Sequence, residues 1–146
     1  MKRTFFILIS IMMAATMLLT ACGPAPTPAK PSVTFWHAYG TGSAEETALT
    51  AVLAQAAIDL PDVTINVLQV PFNDIYNKYT TDVAAGGGPD MFVAPNDNLG
   101  DEARAGLIAD ITDLVSGKLT DYAPLSIEGM STGGKIYGVP ESLKAV

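Results

Sequence analysis

Apolar and polar positions between residues 33 and 106 change period from two to about 3.6 and back, which predicts strands and helices in turn. Val33-Thr34-Phe35-Trp36 is a short run of strong β-formers and predicts a first strand. It runs into His37-Ala38-Tyr39-Gly40-Thr41-Gly42, whose glycines mark a loop. Ser43 followed by Glu46 is a capping box that starts a helix, and Leu49, Val52, Leu53 and Ala56 then fall on one face until Pro61 ends it. Val63, Ile65 and Val67 alternate with Thr64 and Asn66 in a second strand over residues 63–70. Phe72, Ile75, Tyr76, Tyr79 and Val83 repeat at helical spacing, and Gly86-Gly87-Gly88-Pro89 stops that helix. Residues 90–94 are a brief apolar run suited to a buried parallel strand, and Pro95-Asn96-Asp97-Asn98 is a loop with N-cap chemistry before a short helix to Gly106.

Strands and helices alternating at this spacing predict βαβ units and a parallel sheet covered on both faces. Residues 107–146 are less regular, with a short helix expected over 113–117, a turn at Gly133-Gly134 and a strand over 135–140.

The N-terminal segment stands apart from this pattern. Met1-Lys2-Arg3 precedes an apolar run over residues 5–19, interrupted only by Ser10 and Thr16, and then come Thr20, Ala21 and Cys22. A charged start, an apolar stretch and a small-residue site make a secretory signal. A run of this length would also serve as a membrane span, but Leu19-Thr20-Ala21-Cys22 closely resembles a lipobox, where cleavage precedes Cys22 and its thiol carries a diacylglycerol. The prolines of Gly23-Pro24-Ala25-Pro26-Thr27-Pro28-Ala29-Lys30-Pro31 then make an extended tether. The expected division is a lipoprotein signal peptide over 1–21, the lipidated Cys22 and tether over 22–32, and a folded part over 33–146.

Composition narrows the function. Cys22 is the sole cysteine of the 146 residues, so no internal disulfide can form. Of 8 basic residues, Lys2 and Arg3 lie in the signal, leaving 6 against 15 acidic ones, a formal charge of −9 on the mature part. That balance argues against a nucleic-acid partner and fits an extracytoplasmic domain.

Gly40-x-Gly42 between a strand and a helix invites a dinucleotide site, but Glu45 stands where the third glycine belongs and would repel a pyrophosphate. Gly86-Gly87-Gly88 follows a helix and lacks the lysine of a phosphate loop. His37, the one histidine, has no partner at a spacing that suggests a base, and reads as a satisfied core or loop residue. No zinc spacing or paired carboxylates stand out, so neither an enzyme, a cofactor nor a metal is expected. Ligands of open parallel sheets bind beyond the carboxyl ends of the strands. The polar and aromatic groups there are Tyr39 in the first loop and Asn96, Asp97 and Asn98 in the second, the last two open to an alternative role as helix caps.

The lipobox, Val33-Thr34-Phe35-Trp36-His37-Ala38-Tyr39-Gly40, Gly88-Pro89-Asp90-Met91-Phe92 with Asn96-Asp97, Ala105-Gly106-Leu107-Ile108, and Gly134-Lys135-Ile136-Tyr137-Gly138-Val139-Pro140 occur in one order through the chain. Together they resemble the family 1 extracellular solute-binding proteins, the group that includes the maltose and maltodextrin binders. The resemblance implies an α/β, type II periplasmic-binding-protein-like fold, of which this chain would hold an incomplete parallel-sheet first lobe and no second lobe. It implies a monomeric subunit of an ABC importer that closes on a sugar or oligosaccharide, delivers it to permease membrane subunits and is held to the cell membrane by a lipidated Cys22. Carried over by position, the ligand contacts would be Ala38, Tyr39, Gly40 and Thr41 in the first loop, Asn96, Asp97 and Asn98 in the second, and Lys144. Asn98 replaces an arginine and Lys144 a glutamate of the maltose binders, which puts maltose itself in doubt. Glycerol 3-phosphate or another polyol is the alternative ligand, and a sensory or structural surface lipoprotein the alternative role.

Overall fold

The computed structural model describes residues 30–143. Within them β1 (Ser32–His37), β2 (Thr64–Gln69) and β3 (Met91–Phe92) form a parallel sheet in the order β2-β1-β3. β1 lies in the centre, paired with β2 from Ser32 opposite Thr64 to His37 opposite Gln69, and with β3 through Phe35 opposite Met91 and Trp36 opposite Phe92. Parallel neighbours need long crossovers, and α1 (Ala44–Asp59) and α2 (Ile75–Ala84) supply them. A 3-10 turn (Asn96–Asn98), α3 (Leu99–Arg104), α4 (Thr112–Val115), α5 (Pro124–Gly129) and the antiparallel pair β4 (Ser131–Thr132) and β5 (Lys135–Ile136) follow.

The local signals act as the residues dictate. The Ser43 hydroxyl accepts the Glu46 N–H at 3.1 Å and caps α1. The Glu46 carboxylate reaches back to the N–H of Gly42, one residue before the usual capping-box partner, because the Ser43 N–H is already given to the Gly40 carbonyl at 2.9 Å. At the end of α2, Gly88 has φ +95°, and a Cβ there would lie 2.8 Å from Val83 Cγ2. Gly133 and Gly134, both with positive φ, turn β4 into β5 as a two-residue hairpin loop requires.

Trp36, Val70, Ile75 and Tyr79 form the buried core, with Tyr76, Val83, Phe92, Leu107 and Ile108 packed against it. The Tyr79 ring stacks on Phe92 at 4.1 Å between centroids, which fastens α2 to β3. Lys78 lies 4.6 Å from the centre of the Trp36 ring while its ammonium contacts Asp82 at 2.7 Å.

Four expectations are corrected. Among the described residues both faces of the sheet are covered, since Trp36 and His37, consecutive on β1 and so on opposite faces, are both buried, but α1 packs less deeply than its spacing predicts. α1 buries no residue outright: Leu49, Leu53 and Ala56 reach only half-burial and Val52 is exposed, as are Val67 and Leu68 of β2 and Met91 of β3. The third strand is accordingly half-covered and short, with Phe92 turned to the core and Met91 to solvent. Phe72 falls outside α2 and is 61% exposed, since the chain turns at Pro71, whose carbonyl accepts the N–H groups of Asp74 and Ile75. The expected strand over 135–140 pairs only at Lys135–Ile136, because its partner β4 is itself two residues long. The helix α5, started by Pro124, carries too few apolar repeats to have been anticipated.

Candidate functional site

All three strands of the main sheet run the same way, so the segments leaving β1 and β3 emerge side by side at one edge. The first of these is residues 38–41. Its shape is set from the neighbouring strand: the Gln69 side-chain amide donates to the Tyr39 carbonyl, and Gln69 Oε1 accepts from the Thr41 hydroxyl at 3.1 Å. Gly40 uses its carbonyl to start the turn into α1, and Ala38 packs against the core.

Phe35, His37 and Tyr39 are spaced by two and so share one side of the chain. Their rings lie in sequence, with 6.5 Å between the Phe35 and His37 centroids and 5.5 Å between His37 and Tyr39. His37 is buried, and its Nδ1 accepts the Tyr39 N–H at 3.3 Å, which employs it as a structural residue. Glu141 and Glu45 lie near enough to the Tyr39 hydroxyl for their charges to act on it. Burial, then the charges of Glu141 and Glu45, push that phenol up to about 12, so it stays a donor at any ordinary pH.

The second segment is residues 95–98. The Tyr76 hydroxyl donates to the Pro95 carbonyl, and Asn96 Nδ2 donates to the Gly129 carbonyl at 2.7 Å. Asn96 therefore ties this loop to the end of α5. Asn98 is the N-cap of α3 by position but makes no side-chain cap bond; it lines a shallow cavity of about 280 Å³ with Tyr76, Thr80 and Glu102. Asp97 is exposed, and its charge adds to burial and to Glu102 in raising the Tyr76 phenol to about 12.

Beneath this loop Glu102 is only 6% exposed, and its Oε1 has no hydrogen-bond partner among the described residues. Burial holds its carboxyl above the ordinary range. The two phenols near it, Tyr76 and Tyr79, already donate their protons to the carbonyls of Pro95 and Leu107. What those phenols still offer is lone pairs, which suit a protonated carboxyl.

The structure thus brings Tyr39, Gly40, Thr41 and the 95–98 loop to one edge, and gives Ala38 and Asn96 packing and structural bonds. Lys144, Cys22, the lipobox and the tether as far as residue 29 lie outside the described residues. Gln69, Glu102 and Glu141 are the participants that sequence reasoning missed. A polar residue closing the second strand at the ligand edge was a signal for Gln69. Nothing local marks Glu141, which meets Tyr39 only through the fold.

The chain matches the sequence profile of the bacterial extracellular solute-binding proteins over residues 41–145. It is 33% identical over 87 residues to a maltotriose-binding protein of Pyrococcus abyssi, an alignment covering 59% of this chain and 19% of that protein. It is 31% identical over 81 residues to an uncharacterized lipoprotein of Streptomyces antibioticus, covering 55% of this chain and 18% of that protein. Its structure is similar to an ABC substrate-binding protein of Listeria monocytogenes in complex with cycloalternan, with a TM-score of 0.64, 25% identity and coverage of 75% of this chain and 28% of that one. The chain spans less than a third of the length of each. Its parallel sheet and crossovers are part of the type II periplasmic-binding-protein fold.

Proposed function

Because the chain belongs to the bacterial extracellular solute-binding proteins, we propose that it is part of the substrate-binding subunit of an ABC importer and binds a sugar or oligosaccharide of the maltodextrin kind. The observation that carries this reading is the placement, at the same carboxyl edge of the sheet, of a fixed aromatic ring, Tyr39, and of the loop that carries an exposed carboxylate, Asp97. A pyranose has an apolar face that a ring can cover and hydroxyls that donate to a carboxylate, each such charge-assisted bond contributing about 1.5–3 kcal/mol. Asp97 suits that role better than a cap, since the N-cap of α3 is Asn98 and no side-chain bond is made there.

Tyr39, Gly40, Thr41, Asp97 and Asn98 are the proposed ligand residues in the described part, and Lys144 is a further one. Ligand release and capture proceed by hinge closure of two lobes, with the closed form recognised by permease subunits. The lipobox ending in Cys22 places the protein outside the cytoplasm on a lipid anchor, a reading that the similarity to the Streptomyces lipoprotein supports.

The test is calorimetric titration of the whole protein with maltotriose, mannotriose and cycloalternan, paired with melting temperature. Ligand binding to the folded state alone raises the melting temperature by mass action. The absence of both heat and thermal shift with every saccharide would end this reading.

A further inference from the structure

A third segment leaves the sheet at the carboxyl edge. β2 runs parallel to β1 and ends level with it, His37 opposite Gln69, so residues 70–74 emerge beside the Tyr39 loop. The two are joined there: the Val70 N–H donates to the His37 carbonyl at 2.9 Å, and Gln69 holds the Tyr39 carbonyl and the Thr41 hydroxyl. With the strand order β2-β1-β3, the Tyr39 loop starts between residues 70–74 and the Asp97 loop. Neighbouring strands lie about 4.8 Å apart, so the three segments begin across about 10 Å, more than a single pyranose ring covers.

Residues 70–74 carry a ring of their own. Phe72 is 61% exposed, whereas Trp36 is buried and Phe35 and Phe92 are half-buried. Its backbone is fixed all the same. The Pro71 carbonyl accepts the N–H groups of Asp74 at 2.9 Å and Ile75 at 3.1 Å, and Ile75 is anchored in the core. Asp74 is exposed at the N-cap of α2 and makes no side-chain cap bond. An exposed ring and a carboxylate on one fixed turn repeat the chemistry that Tyr39 and Asp97 offer.

Resting on the saccharide-binding reading above, we infer that Phe72 is a further ligand-contacting residue, a second aromatic platform that takes another sugar ring of the chain bound at Tyr39, with Asp74 accepting from its hydroxyls. The ligand is accordingly an oligosaccharide and not a single sugar. Covering the Phe72 ring with the apolar face of a pyranose removes from water a surface the protein otherwise leaves exposed. Because the turn is already fixed, little ordering is lost when the ligand arrives.

The experiment titrates the whole protein, as wild type, Phe72→Ala and Phe72→Tyr, with maltotriose, mannotriose, cycloalternan and glucose, and records the melting temperature of each without ligand. The expected result is that wild type binds its best oligosaccharide more tightly than glucose. Phe72→Ala should lower that oligosaccharide affinity about tenfold, as the loss of one covered ring implies, and Phe72→Tyr should restore it. The melting temperature should hardly move, since an exposed side chain is removed. Unchanged oligosaccharide affinity in Phe72→Ala, with or without a fall in melting temperature, would overturn the inference and leave the saccharide-binding reading standing. Glucose bound by wild type as tightly as every oligosaccharide would overturn it too. If wild type binds none of the saccharides, the proposed function fails first and this inference with it.

Discussion

Gln69 at the end of β2 and Tyr39 in the loop after β1 lie 30 positions apart, yet the Gln69 amide donates to the Tyr39 carbonyl while its oxygen accepts from Thr41 at 3.1 Å. One side chain thereby holds both ends of a short, glycine-containing loop that would otherwise sample many conformations. The bond exists because His37 and Gln69 are register partners in the parallel pair. Gln69→Ala is expected to release the loop and weaken saccharide binding by about tenfold through the cost of re-ordering it. Because both bonds are exposed, the melting temperature should move little. Titration calorimetry beside a melting curve separates the two effects, and a large fall in melting temperature with unchanged affinity would make Gln69 a purely structural residue.

Asp97→Ala should weaken saccharide binding by about 1–3 kcal/mol with little change in stability, since Asp97 is exposed and the cap position belongs to Asn98. Unchanged affinity with a lowered melting temperature would assign Asp97 to the helix instead. Asn96→Ala is the contrasting variant. It removes the 2.7 Å bond to the Gly129 carbonyl, so its main effect should be on stability, by about 1 kcal/mol.

These contrasts show where reading by sequence holds and where it stops. Ser43 and Glu46 are three residues apart, and the cap they predict forms with only a one-residue shift in the partner of Glu46. Ile75, Tyr76, Tyr79 and Val83 pack as their spacing requires. Phe72 fits the same spacing but lies within the turn that begins at Pro71, because periodicity alone cannot tell a helix from the turn that leads into it. At the site, Asn96, Asp97 and Asn98 are indistinguishable by composition. They part only through a carbonyl 33 positions away that claims Asn96. Glu141 and Glu102 acquire their roles from burial and from neighbours distant in sequence, which no local pattern carries.

Glu102 makes stability pH-dependent with a definite sign. Its folded carboxyl titrates above the ordinary value of 4.5 because burial disfavours the charged form. The folded state therefore holds the proton more tightly than the unfolded chain, and stability is full below the unfolded value and lost as pH rises through the folded one. Tyr76 and Tyr79 face this group with their protons already committed, and Asp97 adds negative charge nearby, so no neighbour named here relieves the ionised form. Glu102→Gln should remove this dependence. Its melting temperature should exceed that of wild type near neutral pH, and the gap should close below about pH 4.5. Parallel melting curves for the two proteins between pH 4 and 8 would contradict the assignment.

The buried core yields a last prediction, which tests the packing directly. Ile75 is fully buried between α2 and the sheet, in contact with the cluster around Trp36. Ile75→Ala should cost about 2–5 kcal/mol, the transfer term plus the cavity left behind. Val52, on α1, is 64% exposed, and Val52→Ala should fall within about 0.5 kcal/mol of wild type, as exposed substitutions do. The two residues were both assigned to packed helix faces by their spacing, and only α2 buries its face here. Denaturant midpoints of the two variants decide the matter. If Val52→Ala destabilises as much as Ile75→Ala, Val52 is buried in the native protein by more than residues 30–143 provide.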